Sequence, residues 1–159
     1  MTEIPAYAFI MCSSLSEVNI PECTSIGSLA FDMCAALTSV SFEKCRSIQQ
    51  GAFMMANIKS AYFPECTSIG AQAFAYAFQL SYASFPKCAT INALAFCSCT
   101  GLSSVYFMGS SIPALANSNA FLGARASLSI FVPESLYSSY LTATNWSTLS
   151  SRIVSVPAN

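Results

Sequence analysis

Apolar residues recur along this chain with a period of about twenty-two. The pair Ala-Phe returns at Ala8-Phe9, Ala30-Phe31, Ala52-Phe53, Ala73-Phe74, Ala95-Phe96 and Ala120-Phe121, at intervals of 22, 22, 21, 22 and 25 positions. Ahead of these pairs runs an Ile column (Ile26, Ile48, Ile69, Ile91, Ile112), and ahead of that a Cys column (Cys23, Cys45, Cys66, Cys88). One stretch, Cys23-Thr24-Ser25-Ile26-Gly27, comes back unchanged as Cys66-Thr67-Ser68-Ile69-Gly70. A fixed period in this range is the signature of a solenoid, in which each coil buries its apolar side against its neighbours.

Within each coil the pattern also predicts a strand. Leu15-x-x-Val18-x-Ile20, Leu37-x-x-Val40-x-Phe42, Ile58-x-x-Ala61-x-Phe63, Leu80-x-x-Ala83-x-Phe85 and Leu102-x-x-Val105-x-Phe107 share one spacing. Their last two apolar positions alternate with polar or exposed ones, the period of a strand with one buried face. Pro21, Pro64, Pro86 or Glu43 follows and ends the strand. Stacking lays these strands into a parallel sheet with a spacing of about 4.8 Å. The Cys and Ile columns are expected in the turn, and the Phe column as one stacked spine on the far side. Gln49 and Asn92 replace the Gly, and the coil near Asn57 is one residue short, so local turns should change there without loss of the fold.

From Leu128 the pattern shifts. Leu128, Ile130 and Val132 alternate, and Pro133 with Glu134 suits the first turn of a helix. Leu136, Tyr137, Tyr140 and Leu141 then share one helical face, followed by Trp146 and the run Ile153 to Val156. A solenoid needs an atypical last unit to cover its final coil and strand edge.

The strand Leu-x-Ser-Val-x-Phe-Pro and the half-coil Thr-Ser-Ile-Gly with its Ala-Phe resemble the leucine-rich repeat of the BspA-like type, found in surface proteins of bacteria and some parasitic protists. The resemblance implies a repeat solenoid of the α/β-type leucine-rich repeat. Its coils are expected to be right-handed and about 22 residues long, with a parallel β-sheet on one face. Repeats are expected over 1–127, in five to six coils with the first truncated, and a C-terminal helix-plus-strand cap over 128–159.

Charge narrows the chemistry. The chain is 54% hydrophobic and 8% charged, with a net charge of -1 and six scattered Lys and Arg, so nothing resembles a phosphate-binding stripe. Nucleic acid is not an expected partner. The segment from Cys88 to Ala124 carries no charge, yet Asn92, Gly101, Gly109 and Pro113 interrupt it. A spanning helix wants about 20 uninterrupted apolar residues, so no membrane insertion is expected. The repeat is already under way at Ile4, which reads as a piece of a longer protein with any export signal upstream.

No His is present, which removes Ser-His-Asp and Cys-His catalysis and the commonest zinc ligand sets. We expect no enzyme, no cofactor and no metal. Glu22, Glu43 and Glu65 share a column, read as a solvated edge relieved by Lys44, Arg46 and Lys87 rather than a cation site.

Eight cysteines invite a disulfide framework. The period argues for buried thiols instead: Cys12, Cys34 and Cys99 share a column with Ala56 and Ala77, so the residue acts as a small apolar side chain. Stacked side chains also point in parallel, poor geometry for a disulfide. Cys97, off both columns, is the expected exposed thiol.

Function is left to the surface. Tyr62, Tyr82 and Tyr106 fall on outward positions of three successive strands, with Lys59 and Glu17 bordering them. Rigid Tyr among Ser and Asn gives contact area at low entropy cost. With the adhesive role that the resemblance implies, these five residues are the expected partner-binding set. The expected partner is a host or microbial surface protein or glycan, bound by a secreted or cell-surface module. The competing reading is a structural spacer or an accessory repeat domain of a larger secreted protein.

Overall fold

The computed structural model describes residues 1–157, so positions 158 and 159 of the expected cap lie outside the described residues. Every coil contributes two strands. The longer ones are β2 (Glu17–Asn19), β4 (Ser39–Ser41), β6 (Ser60–Tyr62), β8 (Tyr82–Ser84), β10 (Ser104–Tyr106), β12 (Ser129–Pro133) and β13 (Ile153–Val156). The shorter are two-residue strands: β1 (Glu3–Ile4), β3 (Ser25–Ile26), β5 (Ser47–Ile48), β7 (Ser68–Ile69), β9 (Thr90–Ile91) and β11 (Ala114–Leu115).

The short strands are the first departure from expectation. The Ile column is not a turn but a six-stranded parallel sheet in the order β1-β3-β5-β7-β9-β11. Each Ser or Thr points outward and each Ile inward, the two-residue minimum of a half-buried strand. Leu115 pairs with Ile91 in that column, while Ile112, the residue expected there, is only half-buried. The longer interval between the last two Ala-Phe pairs moves the register by a few residues.

The long strands also pair in parallel, but in two pieces: β6-β8-β10-β12-β13 and, apart from it, β2-β4. The break falls at the short coil. There the Asn57 side-chain amide reaches back to the Ala35 carbonyl, spanning the missing residue. Where Gly is replaced, the ladder survives: Gln49 N donates to Ile26 O at 2.9 Å and Asn92 N to Ile69 O at 3.0 Å.

The Ala-Phe arc closes the coils with turns, except in the last, where Ser118–Phe121 form a short 3-10 helix. Tyr7, Leu29, Gln72 and Leu94, with Gly51, form one column of left-handed residues, with φ from 55° to 62°. Met11, Met33, Met55, Tyr76 and Ser98, with Gly123, form a second four residues on. Residues in that conformation cannot continue a right-handed helix. Their N–H groups donate to the next coil instead, as in Tyr7 to Ser28 O at 2.9 Å and Met11 to Asp32 O at 2.8 Å.

Inside, the Phe spine forms as expected. Phe9, Phe31, Phe53, Phe74, Phe96 and Phe121 stack at 5.1–5.4 Å with planes within 9°. A second file, Phe42, Phe63, Phe85 and Phe107, runs beside it at 5.7–6.2 Å. The two interlock through tilted contacts such as Phe53–Phe63 at 5.9 Å and 56°.

The C-terminal segment covers the last coil. The expected helix from Glu134 is short: a 3-10 turn (Glu134–Leu136) and the four-residue α1 (Tyr137–Tyr140). A second 3-10 stretch, Trp146–Arg152, leads into β13, which pairs with β12 and extends the sheet. Trp146 meets both Phe files, Phe107 at 5.7 Å and Phe121 at 6.4 Å, and its Nε1 donates to Pro113 O at 2.8 Å.

Candidate functional site

The outward face of the long-strand sheet has two columns. Ser60, Tyr82 and Ser104 lie in register in one, and Tyr62, Ser84, Tyr106 and Phe131 in the other. Neighbouring strands sit about 4.8 Å apart, so ring–ring contact needs adjacent strands. Tyr82 and Tyr106 meet that condition, with ring centroids 5.3 Å apart and planes tilted by 40°. Phe131 continues the row, stacked on Tyr106 at 4.5 Å and 11°.

Tyr62 does not join this file. Ser84 stands between it and Tyr106 in the register, so the two tyrosines are two strands apart and cover Ser84, which is only 8% exposed. Tyr62 itself is 58% exposed, against 37% for Tyr82. The three tyrosines share one sheet face, and the rings in contact there are Tyr82, Tyr106 and Phe131. Alternation already marked Phe131 as outward between Ile130 and Val132, but the segment reads first as the lead-in to a cap.

Lys59 precedes β6, and its carbonyl accepts from Ser81 N at 2.9 Å and Ser81 Oγ at 3.1 Å. Lys59 is exposed, three residues ahead of Tyr62. Glu17 is exposed on β2, in the detached two-stranded sheet, and so lies apart from the aromatic row.

At the end of the long strands the surface dips into a groove of about 600 Å³ lined by Glu43, Lys44, Arg46, Tyr62, Pro64 and Glu65. Two ion pairs flank it, Lys44 Nζ–Glu22 at 2.7 Å and Lys87 Nζ–Glu65 at 2.6 Å. Glu22 and Glu65 of the shared column are thereby relieved by lysines from the following coil, whereas Glu43 and Arg46, expected to take part as well, form no ion pair among the described residues.

The thiols are withdrawn from chemistry. All eight cysteines are free, and seven are buried. Sγ of Cys23, Cys45, Cys66 and Cys88 donates to the carbonyl two residues on, at 3.2–3.4 Å. Burial pushes the Cys45, Cys66, Cys88 and Cys99 thiols up to about 12 and Cys34 to about 11. Cys97, expected at the surface, is 8% exposed beside the Phe spine, and Cys12 in the first coil is the exposed thiol.

Among the described residues, no group of three or more His, Cys, Asp or Glu is placed to hold a metal ion. No helix among them is long and apolar enough to cross a membrane.

A family model described as the BspA type leucine rich repeat region matches residues 2–126 in 6 copies. Among curated proteins, none matches this sequence. Among solved structures, the fold is similar to that of the pneumococcal vaccine antigen PcpA, with a TM-score of 0.72 and 14% identity over 98% of this chain and 38% of that one. It is similar to a leucine rich cell surface protein of Faecalibacterium prausnitzii, at 0.56 and 22% identity over 98% of this chain and 47% of that one. A leucine-rich repeat protein of Bacteroides ovatus matches at 0.52 and 20% identity, over 83% of this chain and 43% of that one. The chain thus spans less than half the length of each.

Proposed function

The chain belongs to the BspA-type leucine-rich repeat family, and we propose on that footing that it is a non-catalytic recognition module of a cell surface, binding a protein or glycan through its long-strand sheet. One observation carries the reading: Tyr82, Tyr106 and Phe131 form a continuous row of partly exposed rings on a sheet face that also carries Tyr62, Val154 and several Ser. Aromatic rows of this kind supply hot-spot area with few rotamers to freeze. That a structural neighbour is described as a cell surface protein supports the location.

The test is a Tyr82→Ala, Tyr106→Ala, Phe131→Ala variant assayed against panels of microbial and epithelial surface proteins and glycans. The reading expects a loss of about 30-fold or more in affinity, the size of a hot-spot effect. Unchanged binding, with an unchanged melting curve, would leave the spacer role as the better description.

A further inference from the structure

Among the described residues, the groove beside Tyr62 holds an unpaired cation, an unpaired anion and an exposed ring. Lys44 and Lys87 are committed to Glu22 and Glu65. Among the described residues, the Arg46 guanidinium and the Glu43 carboxylate have no ion-pair or hydrogen-bond partner. Yet the backbone beneath Arg46 is fixed. Its N–H donates to Thr24 O at 2.8 Å, and its carbonyl accepts from Thr67 N at 2.9 Å and Thr67 Oγ1 at 3.1 Å.

From this geometry we propose that the groove binds a sugar carrying a carboxylate, deepening the recognition reading and resting on it. A guanidinium presents a planar fork that matches a carboxylate with two parallel hydrogen bonds. Tyr62 offers its exposed face to the C–H side of a pyranose ring, and the Glu43 carboxylate can accept from its hydroxyls. The volume of about 600 Å³ falls in the range of small-ligand sites. Glu43 and Glu65 on the walls disfavour a dianion such as a phosphate ester. The lining charges of Glu43, Lys44, Arg46 and Glu65 sum to zero, so a monoanion adds one net negative charge where a dianion adds two. Hexuronates and sialic acids both supply this chemistry.

The experiment is an amide NMR titration of the whole chain with three probes. These are a tetrasaccharide of alternating glucuronate and N-acetylglucosamine, sialyllactose, and neutral lactose. At least one acidic probe should shift the Arg46, Tyr62 and Thr67 amides, saturating with a Kd on the order of 1 mM, while lactose does not. Which acidic probe binds identifies the source. Arg46→Gln and Tyr62→Ala should each weaken binding about tenfold, Arg46→Lys should restore part of it, and Arg125→Gln should change nothing. Both Arg46 and Tyr62 are exposed, so a matching melting curve certifies folding. Silence with both acidic probes, equal binding of lactose, or wild-type binding by Arg46→Gln overturns the inference. None of these outcomes bears on the aromatic row, whose own failure is read from the triple variant.

Discussion

The ring of Phe53 lies 5.2 Å from that of Phe31 with planes 9° apart, and it repeats this contact with Phe74 on its other side. Phe53 therefore has neighbours above and below as well as Phe42 and Phe63 alongside. Phe9, half-buried in the first coil, stacks on Phe31 alone. Phe53→Ala should cost about 3–5 kcal/mol. Phe9→Ala should cost clearly less. Urea unfolding of both variants measures the difference, and equal losses would contradict the stacked-file account.

Trp146 ends both files. Trp146→Ala should lose about 3–5 kcal/mol, since it removes the indole packed on the ends of both files. Trp146→Phe retains much of the packing but leaves Pro113 O without its donor, a loss of about 1–3 kcal/mol. Thermal unfolding of the pair separates the packing contribution from the hydrogen bond.

At Gly70 successive coils approach closely: a Cβ built there would lie 2.5 Å from Gln49 C and 2.7 Å from Gln50 N. Both are backbone atoms, which cannot rotate away. Gly70→Ala should cost about 1–3 kcal/mol, with the melting temperature as the readout.

Asp32 is 7% exposed, and its Oδ1 has no partner among the described residues. Burial holds its carboxyl above the usual aspartate range, only partly countered by the Met33 N–H. The folded chain thus keeps this proton better than the unfolded chain does. Stability should fall as pH rises from the ordinary aspartate range through the raised folded value, and stay lower at neutrality. Asp32→Ala, the residue the same column carries at Ala75, should flatten that dependence and raise the melting temperature at pH 7. A parallel pH series on the two proteins decides it.

The buried thiols make the opposite end of the pH scale informative. Cys45, Cys66, Cys88 and Cys99 titrate near 12 in the fold against 9.0 for an exposed thiol. Their contribution is complete below about pH 9 and is lost as pH climbs toward 12, so alkaline unfolding should begin there. At pH 8 a thiol reagent should label Cys12 first, with the remaining seven reacting only in denaturant. Rapid labelling of Cys97 in the native protein would contradict its burial.

Periodicity alone determined that this chain stacks coil on coil, which residues face inward, and that the cysteines serve as small core side chains. A repeat with one inward Phe and one inward Ile per turn has few ways to bury them, so those columns are legible without coordinates. The tertiary structure decided what depends on contacts between coils. Two-residue strands exist only because neighbours complete their hydrogen bonds, which is why the Ile column reads as a turn in isolation. Register across strands separated Tyr62 from Tyr106 and set Phe131 beside Tyr106, because a pleated sheet allows ring contact only between adjacent strands. The pairing of Lys44 and Lys87, which leaves Arg46 free, likewise arises only when successive coils are laid side by side.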